Sequence, residues 1–93
     1  MMTIKAKIAR IGEVETRSGR MGDYQTQGMM LDVTGDDGVR QSLYGTLFGS
    51  HIDTLAAQGL RGGDRVEVGL RFTTSERNGF VSNYVEFINP QKI

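Results

Sequence analysis

One short helix-patterned segment stands in the middle of a chain that otherwise reads as strands. Ser50-His-Ile-Asp53 has the form of a capping box, with the Ser50 hydroxyl placed to accept the Asp53 N–H. The helix that follows is expected to bury Ile52, Leu55 and Ala56 and to stop at Gly59. Arg61-Gly-Gly-Asp64 reads as a turn. Beyond it Val66, Val68, Leu70 and Phe72 alternate with Arg65, Glu67, Gly69 and Arg71, the clearest strand in the chain.

The rest is strand by the same alternation. Ile4, Ala6 and Ile8 mark a buried face, and Lys5 and Lys7 alternate with them as a solvated edge that discourages sheet aggregation. Ile11 and Val14 fall out of phase, which predicts a bulge near Ala9–Gly12 that bends this strand. Residues 17–23, by their glycines and polarity, read as a loop. Met29, Leu31 and Val33 define a second strand, and Thr34-Gly-Asp-Asp-Gly38 a tight turn. A third strand runs from about Val39 to Phe48, with Leu43 and Leu47 inward and Arg40, Ser42, Tyr44, Thr46 and Phe48 outward. Asn78-Gly79 marks a hairpin, and a fifth strand runs from Phe80 to Ile88, ended by Asn89-Pro90. The inward phase of that strand is open, because Val81, Val85 and Phe87 compete with Phe80 and Tyr84. Those two rings read as core or interface before ligand.

The order is β-β-β-α-β-β, which is that of the OB-fold, a five-stranded Greek-key barrel with one helix between strands three and four. The main competing barrel, the SH3-like one, usually has no helix there. At 93 residues the chain fits one such domain spanning 1–93. Its 13 glycines and single proline suit an all-β protein with many turns.

Three segments carry a family likeness. Phe48-Gly-Ser-His-Ile-Asp-Thr-Leu55, Leu60-Arg-Gly-Gly-Asp-Arg-Val-Glu-Val68 and the late Asn78-Gly79 hairpin resemble bacterial single-stranded DNA-binding-like OB domains, in particular a short group of them. Gly22-Asp23-Tyr24-Gln-Thr-Gln27 resembles that group's lead-in to strand two. The chain differs in having Phe48 where Trp is common and fewer aromatic residues in the last strand. The resemblance implies binding of single-stranded nucleic acid and frequent self-association.

The chemistry such binding needs is cations along phosphates and flat rings under bases. In OB-folds the usual surface is the face of strands two and three, flanked by the loops after strands one and four. Arg17 and Arg20 fall in the first of these loops, Arg77 in the second, and Arg71 close to it on the outward phase. Tyr24, Tyr44, Phe48 and Arg40 lie on the outward phase of strands two and three. These eight residues are the expected site, and single-stranded DNA, bound with little sequence preference, is the expected ligand. A lone domain would bind weakly, so a homodimer or larger assembly is expected as well. The same rings would also serve a protein–protein or self-assembly module, and zero net charge favours that alternative. Oligosaccharide, the third ligand class of this fold, leaves the arginines unexplained.

No reaction is visible. The single His51 sits at a helix start, and there is no Gly-x-Ser-x-Gly, phosphate-cradling Gly-x-x-x-x-Gly-Lys or His-Glu-x-x-His. Asp32, Asp36 and Asp37 lack the spacing and closing Glu of a calcium loop. The expectation is a non-enzyme with no cofactor and no metal. The chain has no Cys, no apolar run of membrane-spanning length and no signal-peptide apolar core near its start. The expected location is therefore cytoplasmic, away from membranes.

Overall fold

The computed structural model describes residues 1–93. Five strands, β1 (Met2–Gly19), β2 (Gly22–Thr34), β3 (Arg40–Phe48), β4 (Arg65–Arg77) and β5 (Phe80–Lys92), close into a barrel in the order β1-β2-β3-β5-β4. The helix α1 (Ser50–Ala57) connects β3 to β4. All pairings are antiparallel except β3–β5, which is parallel and closes the barrel at Thr46 opposite Glu86. This is the OB-fold. Its only helix is too short to cross a membrane.

β1 serves both halves of the barrel. Met2 to Lys7 pair with β4, and from Lys7 onward the strand pairs with β2. Register shifts at Ile8/Arg10 and Ile11/Val14 bend it where the apolar phase slips. Lys5 and Lys7 are therefore not on an edge. Lys5 lies opposite Glu67, and Lys7 lies between Arg65 and Asp32.

Ala6, Ile8, Met29, Leu31, Leu47, Val66, Val68, Leu70 and Phe87 fill the barrel, with Ile52, Leu55 and Leu60 closing one end. Phe87 lies against Gly45, where a Cβ would come within 2.6 Å of the ring. The last strand's inward phase is thus Val85–Phe87, and Phe80 and Tyr84 point to solvent.

Four local expectations are corrected. The capping box does not form. Ser50 is already helical, and Gly49 (φ 54°) is the N-cap, so the Ser50 side chain sits one residue too far in. The Ser50 carbonyl instead accepts the Thr54 hydroxyl at 3.1 Å. Ala56 is exposed, because the short helix turns only Ile52 and Leu55 inward. The C-terminus is as expected. Gly59 takes φ 63°, its N–H bonds to Ala56 O, and Leu60 N–H bonds back to Leu55 O.

Third, Asn89-Pro90 does not end β5. The two residues form a bulge opposite Val68, with Asn89 at φ 50°, and pairing resumes at Gln91–Glu67 and Lys92–Val66. A bulge needs no proline N–H, so the ladder continues past it. Fourth, residues 17–23 are mostly strand. β1 and β2 pair out to Gly19–Gly22 and leave only Arg20 and Met21 as the turn.

The long β1–β2 pairing belongs to a larger feature. Residues 12–25 and 71–84 are all exposed, so the β1–β2 and β4–β5 hairpins leave the barrel as two arms. Phe72, in phase with the core, is 57% exposed because the core has ended before it.

Candidate nucleic-acid interface

Residues paired across neighbouring strands share a face, so register sorts the outer surface. One row is Arg10 (β1), Met30 (β2) and Tyr44 (β3). Toward the arm follow Gly28 with Thr46, then Glu15, Thr26 and Phe48, and last Arg17 with Tyr24. All three rings are outside. Tyr44 is 61% exposed, Tyr24 46% and Phe48 38%.

Glycines seat two of these rings. A Cβ on Gly28 would collide with Tyr44 Oη, so the ring crosses the β2 backbone in space that only glycine leaves. A Cβ on Gly19 would come within 3.1 Å of Tyr24 Cε1. Tyr24 and Phe48 stand 6.3 Å apart, centroid to centroid, tilted by 35°. Beside Tyr44 lies an open cavity of about 400 Å³ whose lining includes Arg10, Glu15, Gly28 and Met30.

Phe48 links this surface to the second arm. With Thr46 it lines a groove of about 380 Å³ whose other wall is Thr73, Tyr84, Val85 and Glu86. Farther out, Arg77, Phe80, Ser82 and Tyr84 line another groove of about 420 Å³. Asn78 and Gly79, both at positive φ, make the two-residue turn that sets Arg77 opposite Phe80.

The structure therefore brings Tyr24, Tyr44, Phe48 and Arg17 onto one surface, and puts Arg77 on a face of the second arm with Phe80 and Tyr84. Arg20 stands at the tip of the first arm. Two of the arginines are engaged. Arg17 meets Glu15 at 2.8 Å and Arg71 meets Glu86 at 3.0 Å. Arg40 is not beside the rings. It lies four residues from Tyr44 along β3, about 13 Å by strand rise, in a different cavity with Lys5, Lys7 and Arg65.

Three outward residues were not assigned to the site from sequence. Arg10 is hidden by the bulge, which changes the parity of β1. Phe80 (78% exposed) and Tyr84 (58% exposed) are fixed outward by the Asn78-Gly79 turn, whose register carries the parity up the arm. The arrangement offers flat rings and guanidinium groups on one open surface.

The sequence matches no protein-family model, and no curated protein matches it at a significant level. The fold does match solved structures. The mitochondrial single-stranded DNA-binding protein of S. cerevisiae superposes with a TM-score of 0.60 at 14% identity, covering 99% of this chain and 92% of that one. A small single-stranded DNA-binding protein from Streptomyces coelicolor gives 0.52 at 16% identity, over 99% and 92%. The SSB of Plasmodium falciparum, solved with single-stranded DNA, gives 0.50 at 16% identity, over 99% and 90%. At these identities the likeness is one of fold, and the structural neighbours of this barrel are single-stranded DNA-binding proteins.

Proposed function

We propose that this chain is a non-catalytic module that binds single-stranded DNA with little sequence preference, and does so as a homodimer or larger homo-oligomer. The observation that carries the reading is the outward array of Tyr44 and Phe48 on the barrel and Tyr24 on the first arm, with Arg17 and Arg20 on that arm and Arg71 and Arg77 on the second. Rings of this kind stack on any base, and the arginines take phosphates. Structural neighbours that are single-stranded DNA-binding proteins support it, as does the likeness of the Phe48–Leu55 and Leu60–Val68 segments to bacterial OB domains of that kind.

With no net charge, the protein has little bulk attraction for a polyanion, so binding depends on local contacts. Three or four phosphate contacts predict a salt slope of roughly −2 to −3 on logarithmic axes, by the single-strand relation. A fluorescence titration with labelled oligothymidine at about 50 and about 200 mM salt tests this, with affinity expected to fall roughly 20- to 50-fold. Absence of binding at low salt removes the proposal.

A second reading, a self-assembly module that binds no nucleic acid, is favoured by one observation. The other face of the β4–β5 arm exposes Phe72 and Val81. Light scattering on the wild type and on Tyr44→Ser separates the two. A variant that keeps its oligomeric state and loses DNA binding supports the first reading, as does a monomeric one that still binds DNA; an oligomeric wild type that binds no oligothymidine supports the second.

A further inference from the structure

Four cations gather on the outer surface where β4, β1, β2 and β3 adjoin, beyond the rings. Lys5, Lys7, Arg40 and Arg65 line a cavity of about 300 Å³ together with Asp32 and Thr34. None of the four is in an ion pair, since the molecule's two ion pairs lie elsewhere. Lys7 and Arg65 are directly opposed across the β1–β4 ladder, a like-charge pairing that destabilises a sheet.

The nearby carboxylates do not cancel this. Asp32 lies opposite Lys7 and Glu67 opposite Lys5, two against four. Asp36 and Asp37, in the adjoining turn, do not line the cavity, and Asp37 Oδ1 accepts Val39 N–H at 2.9 Å. The cavity wall has one apolar side chain, Ala6, and no ring. It suits phosphate oxygens and offers nothing for a base to stack on.

Its position supplies the ligand. On β2, Asp32 is two residues from Met30, and on β3, Ser42 is two residues from Tyr44. The patch thus begins about 7 Å from the Tyr44 row on the same outer surface. We infer that Lys5, Lys7, Arg40 and Arg65 form a second, base-independent phosphate site that holds the sugar–phosphate backbone of the same single strand after it leaves Tyr44. This rests on the proposed function and adds the direction in which the strand runs.

The test compares oligothymidines of about 5 and about 16 nucleotides, the range one such domain covers, across a salt series. The variant is Lys7→Gln/Arg65→Gln. It removes a repulsive surface pair, so its melting temperature is expected to equal or exceed the wild type's. On the long oligonucleotide its salt slope is expected to be shallower by about 1.4, two contacts at about 0.7 each, with the slope on the short one unchanged. A wild-type slope for the variant on the long oligonucleotide overturns the second site and leaves the ring surface standing. An equal loss on both lengths also overturns it, because the patch would then belong to the ring site. Failure of the wild type to bind either length overturns both proposals.

Discussion

Gly28 decides how Tyr44 is presented. A methyl group there meets the far end of a flexible side chain, so the ring swings away while the backbone holds. Gly28→Ala is expected to weaken binding by about 1–3 kcal/mol, the worth of one stacked base, with little change in melting temperature. Tyr44→Ser is expected to do the same, and the double variant to lose no more than Tyr44→Ser alone, since both act on one ring. Additive losses in the titration would mean that Gly28 matters for another reason. Glu15 acts in the opposite sense, because it holds Arg17 at 2.8 Å beside the rings and competes with phosphate. Glu15→Gln is expected to tighten binding by a factor of about 1.5 to 5, the range for an exposed ion pair. Unchanged affinity at low salt would place Arg17 outside the contact.

At the scale of elements, α1 is tied to the end of β5 by side chains rather than by packing alone. Gln58 Nε2 donates to Pro90 O at 2.6 Å and to Thr54 O at 3.0 Å, while its Oε1 accepts Lys92 N–H at 2.7 Å. His51 Nδ1 accepts Asn89 N–H at 2.9 Å. Both sit on the bulge that carries β5 past its proline. Gln58→Ala is expected to cost about 1–3 kcal/mol, or about 4–8 °C of melting temperature for each kcal/mol in a domain of this size, read by thermal circular dichroism. The arms are expected to behave otherwise. Replacing Thr74–Asn83 by a two-residue Asn-Gly turn removes no buried residue, so cooperative unfolding persists while oligonucleotide binding falls.

The same contrast explains what could be read in advance. Val66, Val68 and Leu70 announce β4 because the barrel buries one of its faces and leaves the other wet. Gly59 announces the end of α1 because its positive φ is a local demand. The arms carry no such signal. Where both faces meet water, polar residues such as Arg17–Asp23 alternate with nothing, and a strand looks like a loop. Phe72 misleads for the converse reason, since it keeps the core's phase after the core has stopped. In the candidate site, Tyr24, Tyr44 and Phe48 are legible because the apolar set Met29, Leu31, Leu43 and Leu47 fixes the opposite phase. Arg10 is not, because a bulge changes parity without marking the residue at which it does so.

For the whole molecule, the arms set the shape. The radius of gyration is 14.0 Å, above the ~12–13 Å of a compact domain of this length. A two-stranded ribbon alone is marginal in water, and the Phe72–Val81 face of the second arm has no cover within one chain. Self-association through it would order the arm and place several ring surfaces along one strand. Light scattering is expected to give a dimer or larger species, and Phe72→Ser/Val81→Ser a monomer with weaker binding to long oligonucleotides. A monomeric wild type would leave the arm as a single-chain device.

Barrel closure has one more consequence. Within the barrel β2 and β4 are paired on both sides, whereas β3 and β5 meet only at Thr46–Glu86. Along the arms, β1 past Gly12 pairs with β2 alone and β4 past Arg71 with β5 alone. Their outer amides and carbonyls are free templates for a further strand. A fibre, swapped ladder or captured peptide can start at those two ribbons, and crowding them with bound polyanion would hinder it there.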